Sequence, residues 1–143
     1  MLLLDTEKIP ELISVAQKEG LVTRINNAAE FARKNRVLLL THQASMTNIY
    51  ISLGVLPFEE EAVDRSFIFN VSGISLRLPT PEDLIIFKAV AHRQKDLIDI
   101  ESIIETHPNL DRKRIESWVR QFATALDMPE IWDDLAGMLA SID

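Results

Sequence analysis

Cysteine is absent from the 143 residues. That rules out a disulfide framework and any thiolate metal site. No apolar run approaches the roughly 20 residues needed to span a bilayer. Met1–Leu4 is apolar, but Asp5 follows at once and no basic segment precedes it, so it does not read as a signal peptide. A membrane partner is not expected, and the cytoplasm is the expected compartment. Positive charge is in short supply: 15 Lys and Arg face 22 Asp and Glu, for a formal net charge of −7. Broad nucleic-acid binding relies on Lys and Arg neutralising phosphates, so the composition argues against it while leaving room for a basic pocket that takes one nucleotide. The three histidines are scattered and make no metal-ligand spacing. Internal repeats, low-complexity tracts and linkers are missing as well.

The rest is ordinary for a globular domain, with 47% hydrophobic and 26% charged residues. The length fits one domain over residues 1–143, with a sheet-containing part at 1–78 and a helical part at 79–143. Leu2–Leu4 suits the end of a strand. Ile9, Leu12, Ile13 and Ala16 form a stripe at helical spacing, stopped at Gly20. Asn26 is expected to cap a short helix over Asn27–Lys34. Val37–Thr41 reads as a central strand. In Asn48–Gly54, Ile49, Ile51 and Leu53 alternate with Asn48, Tyr50 and Ser52, the pattern of a half-buried strand. Leu56–Asp64 reads as a loop or one helical turn, and its run Glu59–Glu61 as solvated. Phe67–Val71 and Ile74–Leu78 read as a hairpin turning at Ser72–Gly73. Asp111 should cap a helix with Ile115, Trp118, Val119 and Phe122 on one face, and a last helix should run from Pro129 to Ile142.

The most informative stretch is Leu78–Glu105. Thr80 is a natural N-cap, Pro81 fits the first helical position, and Asp83 places negative charge at the positive end of the helix dipole. Leu84, Ile85, Ile86, Phe87, Ala89, Val90 and Ala91 leave that helix no polar face, which predicts burial. Lys88 interrupts it. A break at His92–Gln94 leads into a second helix rich in charge: Arg93, Lys95, Asp96 and Asp99. Lys95, Asp96 and Asp99 can share one side of that helix. Two neighbouring carboxylates call for a cation, from Lys88, from Arg93 or from a ligand. The plain alternatives are a lysine whose stem lines the core while its ammonium reaches water, and a solvated helix face with an intrahelical ion pair.

The order PEDL-x3-K-x4-R-x-K-D-x2-D resembles the carboxyl-terminal motif of the minor nucleotidyltransferases, which include minimal nucleotidyltransferases and abortive-infection-type nucleotidyltransferase toxins. The resemblance runs roughly from Leu2 to Leu126. It implies an α+β fold, a truncated nucleotidyltransferase-like mixed sheet with a carboxyl-terminal helical bundle. It implies that Lys88, Arg93 and Lys95 face the phosphates of a nucleoside triphosphate and that Asp96 and Asp99 brace that wall. The family reaction moves a nucleoside monophosphate to an acceptor with Mg2+, which two or more carboxylates hold. Those carboxylates are missing from this sequence. It has neither a Gly-Gly or Gly-Ser turn nor an Asp-x-Asp pair, and is expected to begin where the Asp-x-Asp strand would end, at Met1–Leu4. The third acid should fall in Asn48–Leu53, where Tyr50 stands. A phenol, neutral at pH 7, is a poor ligand for a hard divalent ion.

The leading expectation is therefore a nucleotidyltransferase-like protein, incomplete or inactive as an enzyme. The rival is a non-catalytic nucleotide- or protein-binding module, related to toxin–antitoxin systems. A third reading is a nucleic-acid adaptor through the basic segment Arg112–Arg120. A homodimer is expected on the grounds that Leu2–Leu4, Val37–Leu40 and Ile49–Leu53 leave a sheet face and a strand edge uncovered, unless the helix from Pro129 to Ile142 folds back over them.

Overall fold

The computed structural model describes residues 1–141. It is an α+β protein that divides into two compact units, Met1–Glu60 and Glu61–Asp143. The division falls well before Leu78, so the hairpin groups with the helices rather than with the first sheet. No helix among the described residues is long and apolar enough to cross a membrane.

The first unit contains β1 (Leu2–Leu3), α1 (Ile9–Lys18), β2 (Leu21–Thr23), α2 (Ala28–Asn35), β3 (Val37–His42) and β4 (Thr47–Gly54). The strands form one mixed sheet in the order β1-β4-β3-β2, with β1 parallel to β4 and the other pairs antiparallel. Register explains the core. Leu38 pairs with Ile51 and Leu40 with Ile49, so the alternating apolar residues of both strands share a face. Ile9, Ala16, Ala28 and Ala32 from α1 and α2 bury against Leu38, Leu40 and Leu53 on that face. This corrects the expectation of an uncovered sheet for β3 and β4, whose apolar face is covered by helices of the same unit, while Leu2 and Leu3 of β1 stay exposed; both edge strands are only two or three residues long. The short β2 carries no periodicity of its own; its place comes from pairing with β3. Gly20, at φ +74, turns the chain between α1 and β2. The residue before α2 is Asn27, not Asn26, and it makes no side-chain capping bond.

Residues 57–65 form a helix, α3 (Pro57–Arg65), where a loop or single turn was expected. The reason lies in the acidic run. The Glu59 carboxylate reaches back to accept the amides of Val55 at 2.7 Å and Leu56 at 2.9 Å, satisfying donors that would otherwise be orphaned at the helix start. Pro57 needs no such partner.

In the second unit, β5 (Phe67–Val71) and β6 (Ile74–Leu78) form a two-stranded antiparallel sheet. Ser72 and Gly73 both have positive φ, as a tight two-residue hairpin turn requires. Four helices follow: α4 (Pro81–Ala91), α5 (Gln94–Thr106), α6 (Arg112–Leu126) and α7 (Glu130–Ala140). Thr80 caps α4 as expected, its Oγ1 accepting the Asp83 amide at 3.2 Å. Asp111 caps α6 in the same way at 3.0 Å. Ile85, Ile86 and Ala89 of α4 are buried together with Ile100, Ile104, Ile115, Val119, Ile131 and Leu135 of the other helices. α7 packs on α4, α5 and α6; its expected end at Ile142 lies outside the described residues.

Candidate functional site

Lys88 sits on the half-exposed side of an otherwise apolar helix, so its stem is held by packing while its ammonium reaches the surface. There it meets α5. The ammonium is 2.5 Å from Asp99 Oδ2 and 3.7 Å from Asp96 Oδ1. The break after α4 makes this meeting geometrically accessible. His92 adopts a left-handed conformation (φ 47) that ends α4 and sends the chain back as α5. Arg93, at the N-terminus of α5, donates from Nε and Nη2 to both oxygens of Asp96, at 2.5 and 3.1 Å. This two-pronged bond fixes the carboxylate as well as neutralising it.

Asp96 is buried although it is an acid in the first turn of a helix. Its hydrogen bonds from Arg93 hold its carboxyl below the ordinary value; burial opposes this, and the charges of Arg93 and Lys88 add to it. Hydrogen bonding and attraction to Asp96 correspondingly raise the Arg93 guanidinium. Because the folded carboxyl is the stronger acid, Asp96 contributes stability fully above its unfolded pKa of about 3.9, and that contribution is lost as pH falls through the folded value. Urea unfolding of wild type and Asp96→Asn at about pH 7 and pH 3 checks this. The variant should be less stable at neutral pH, and the gap should narrow in acid. A gap that stays constant contradicts the coupling.

The structure therefore brings Lys88, Arg93, Asp96 and Asp99 together. Lys95 is exposed on the same first turn of α5, but Asp99 takes its cation from Lys88 on α4 rather than from Lys95 four residues away. Tyr50 lies in the first unit, exposed on β4 opposite Leu39, with the Arg24 guanidinium 5.2 Å from its ring centroid. That contact is cation–π. The implied Mg2+ does not fit the donors. Among the described residues no group of three or more His, Asp or Glu side chains converges, and both oxygens of Asp96 and Oδ2 of Asp99 are engaged by cations.

Two features escaped the sequence. His92 Nε2 lies 3.1 Å from Asp134 of α7, adding a further acid beside the cluster. More important is Asp83, read as a dipole partner but fully buried. Its two oxygens accept from Arg114 Nε at 2.8 Å and Arg65 Nε at 3.2 Å, and Arg114 Nη1 also donates to Glu61 at 2.8 Å. Burial works against the Arg114 charge, but the hydrogen bonds to Glu61 and Asp83 outweigh it and raise its pKa. The partners stand 18 and 31 residues from Asp83, so no local spacing announces them. This network spends one of the cations that made α6 look basic. Another, Arg120, pairs with Glu116 and stacks over Trp132 at 4.3 Å.

Two surface concavities, about 370 Å³ beside Arg120 and Trp132 and about 490 Å³ beside Asn27 and Phe31, are lined by other residues than the Lys88 cluster. No protein-family model matches the chain, and neither does any curated protein or solved structure.

Proposed function

We propose that this chain is a nucleotidyltransferase-like domain that binds a nucleoside triphosphate through Lys88, Arg93 and Lys95 and does not transfer the nucleotide by itself. One observation supports the reading above others. A lysine anchored by a buried helix delivers its ammonium beside a doubly hydrogen-bonded Arg–Asp pair, with Lys88, Arg93 and Lys95 gathered on one short stretch among the carboxylates of Asp96, Asp99 and Asp134. On a chain of net charge −7, that is a local site for phosphate. Lys88 and Arg93 would hold phosphate oxygens, Lys95 would add attraction from the rim, and Asp96 would keep the Arg93 fork oriented. Any Mg2+ would arrive with the nucleotide as its counter-ion rather than reside on the protein. The absence of an acid at Tyr50 supports the second half of the proposal, since transfer needs carboxylates to hold metal at the reacting phosphate.

The test is incubation of purified protein with labelled ATP or GTP, Mg2+ and candidate acceptors. Retained nucleotide without labelled product is expected. Metal-dependent labelling that survives Tyr50→Phe and disappears in Lys88→Ala would overturn the inactive reading, and no retained nucleotide would overturn the binding reading.

A further inference from the structure

The register of the hairpin sorts its side chains sharply. Phe67 pairs with Leu78, Phe69 with Leu76 and Val71 with Ile74, so these six share one face; Ile68, Arg77, Asn70 and Ser75 share the other. The first face is entirely apolar. Phe67, Phe69, Val71, Ile74 and Leu76 on it are each 43–62% exposed. Among the described residues, the extensive packing of each strand is against the other strand. A two-stranded hairpin is marginal in water unless its hydrophobic face is covered. Solitary exposed apolar residues need no explanation, but a contiguous face does.

We propose that this face is where two copies of the chain pack, hairpin on hairpin, about a two-fold axis. Two features favour a second copy over another partner. A two-fold interface must be complementary to itself, and an all-apolar face meets that demand because it holds no charge needing an opposite. Two-stranded sheets packed face to face at about 10 Å let the same side chains interdigitate from both sides. The area sets the strength: five large side chains about half exposed offer on the order of 400 Å² per copy, so a symmetric pair buries roughly 800 Å², the size of a weak, concentration-dependent dimer rather than an obligate one. The reverse face bears Arg77, which hydrogen-bonds Ser66 Oγ at 3.0 Å and is thereby tied into its own chain. The inference is independent of nucleotide binding and places the dimer on the hairpin rather than on the first sheet.

Sedimentation equilibrium of the full chain from low to high micromolar concentration tests it, with Phe69→Lys on the apolar face and Asn70→Lys on the reverse face. The expected result is a wild-type dimer, an unchanged Asn70→Lys dimer, and dissociation in Phe69→Lys by at least about tenfold in Kd. Because the chain has no cysteine, Phe69→Cys and Asn70→Cys provide a second readout that does not rest on the lysine variant folding. A short bis-maleimide should join copies through position 69 and not through position 70. A wild-type monomer would give the face to another partner and overturn the proposal. So would a dimer indifferent to Phe69→Lys, or one cross-linked equally at both positions.

Discussion

Asp83→Ala is expected to destabilise the second unit by about 3–5 kcal/mol, the usual cost of removing one member of a buried ion pair. The carboxylate is fully buried, and its loss takes from the Arg114 guanidinium, itself mostly buried, the buried carboxylate that its Nε donates to. Arg65 contributes less, because its side chain is 41% exposed and water can take over its hydrogen bonds. The same physics predicts that replacing both partners, Asp83→Leu with Arg114→Met, recovers much of the loss, since no buried charge is then left alone. Trp118 and Trp132, the chain's two tryptophans, both lie in the second unit, so their fluorescence in a urea titration reports on the relevant unfolding. A loss below about 1 kcal/mol for Asp83→Ala would mean that the network behaves as a surface pair.

Lys88→Met and Asp99→Asn are expected to change nucleotide affinity in opposite directions. Lys88 donates to Asp99, whose side chain is 52% exposed and can yield its place to a phosphate oxygen. Removing the ammonium should weaken triphosphate binding by about tenfold or more, the worth of one hydrogen bond to a charged group. Removing the Asp99 charge should tighten it, because a competing and repelling carboxylate has gone. Stability should respond differently. Methionine fills the lysine stem's place on an apolar helix, Asp96 keeps its two bonds from Arg93 and Asp99 is half exposed, so Lys88→Met should change stability little. Isothermal titration with ATP, alongside thermal melts of each variant, separates these effects. If both variants weaken binding equally, phosphate does not compete with Asp99 for Lys88.

The sequence made some of this legible and hid the rest for physical reasons. Thr80–Pro81, Asp111 and Ser72–Gly73 are local signals, and each cap or turn is found where the residues place it. The alternation in β4 is a periodic signal and predicts which of its side chains turn inward; the apolar circumference of α4 marks a core helix but not its buried side, since Ile85, Ile86 and Ala89 are buried while Leu84, Phe87 and Val90 are half-buried and Ala91 is exposed. Lys88 meeting Asp96 and Asp99 was legible because the break at His92 folds adjacent helices together. What failed was non-local or lacked periodicity. β2 is three residues paired only by its neighbour. α3 depends on a backward-reaching Glu59, which looks like any member of an acidic run. Asp83 carries the same N-terminal dipole signature whether it is solvated or, as here, buried against arginines on two other helices.

The most direct test of the central claim, that α4 and α5 present a triphosphate site, is an amide NMR titration of the labelled protein with ATP and Mg2+. Saturable shifts centred on Lys88 and on Arg93–Asp99, lost in Lys88→Met, are the predicted result. Shifts that centre elsewhere, or none at millimolar nucleotide, would contradict it.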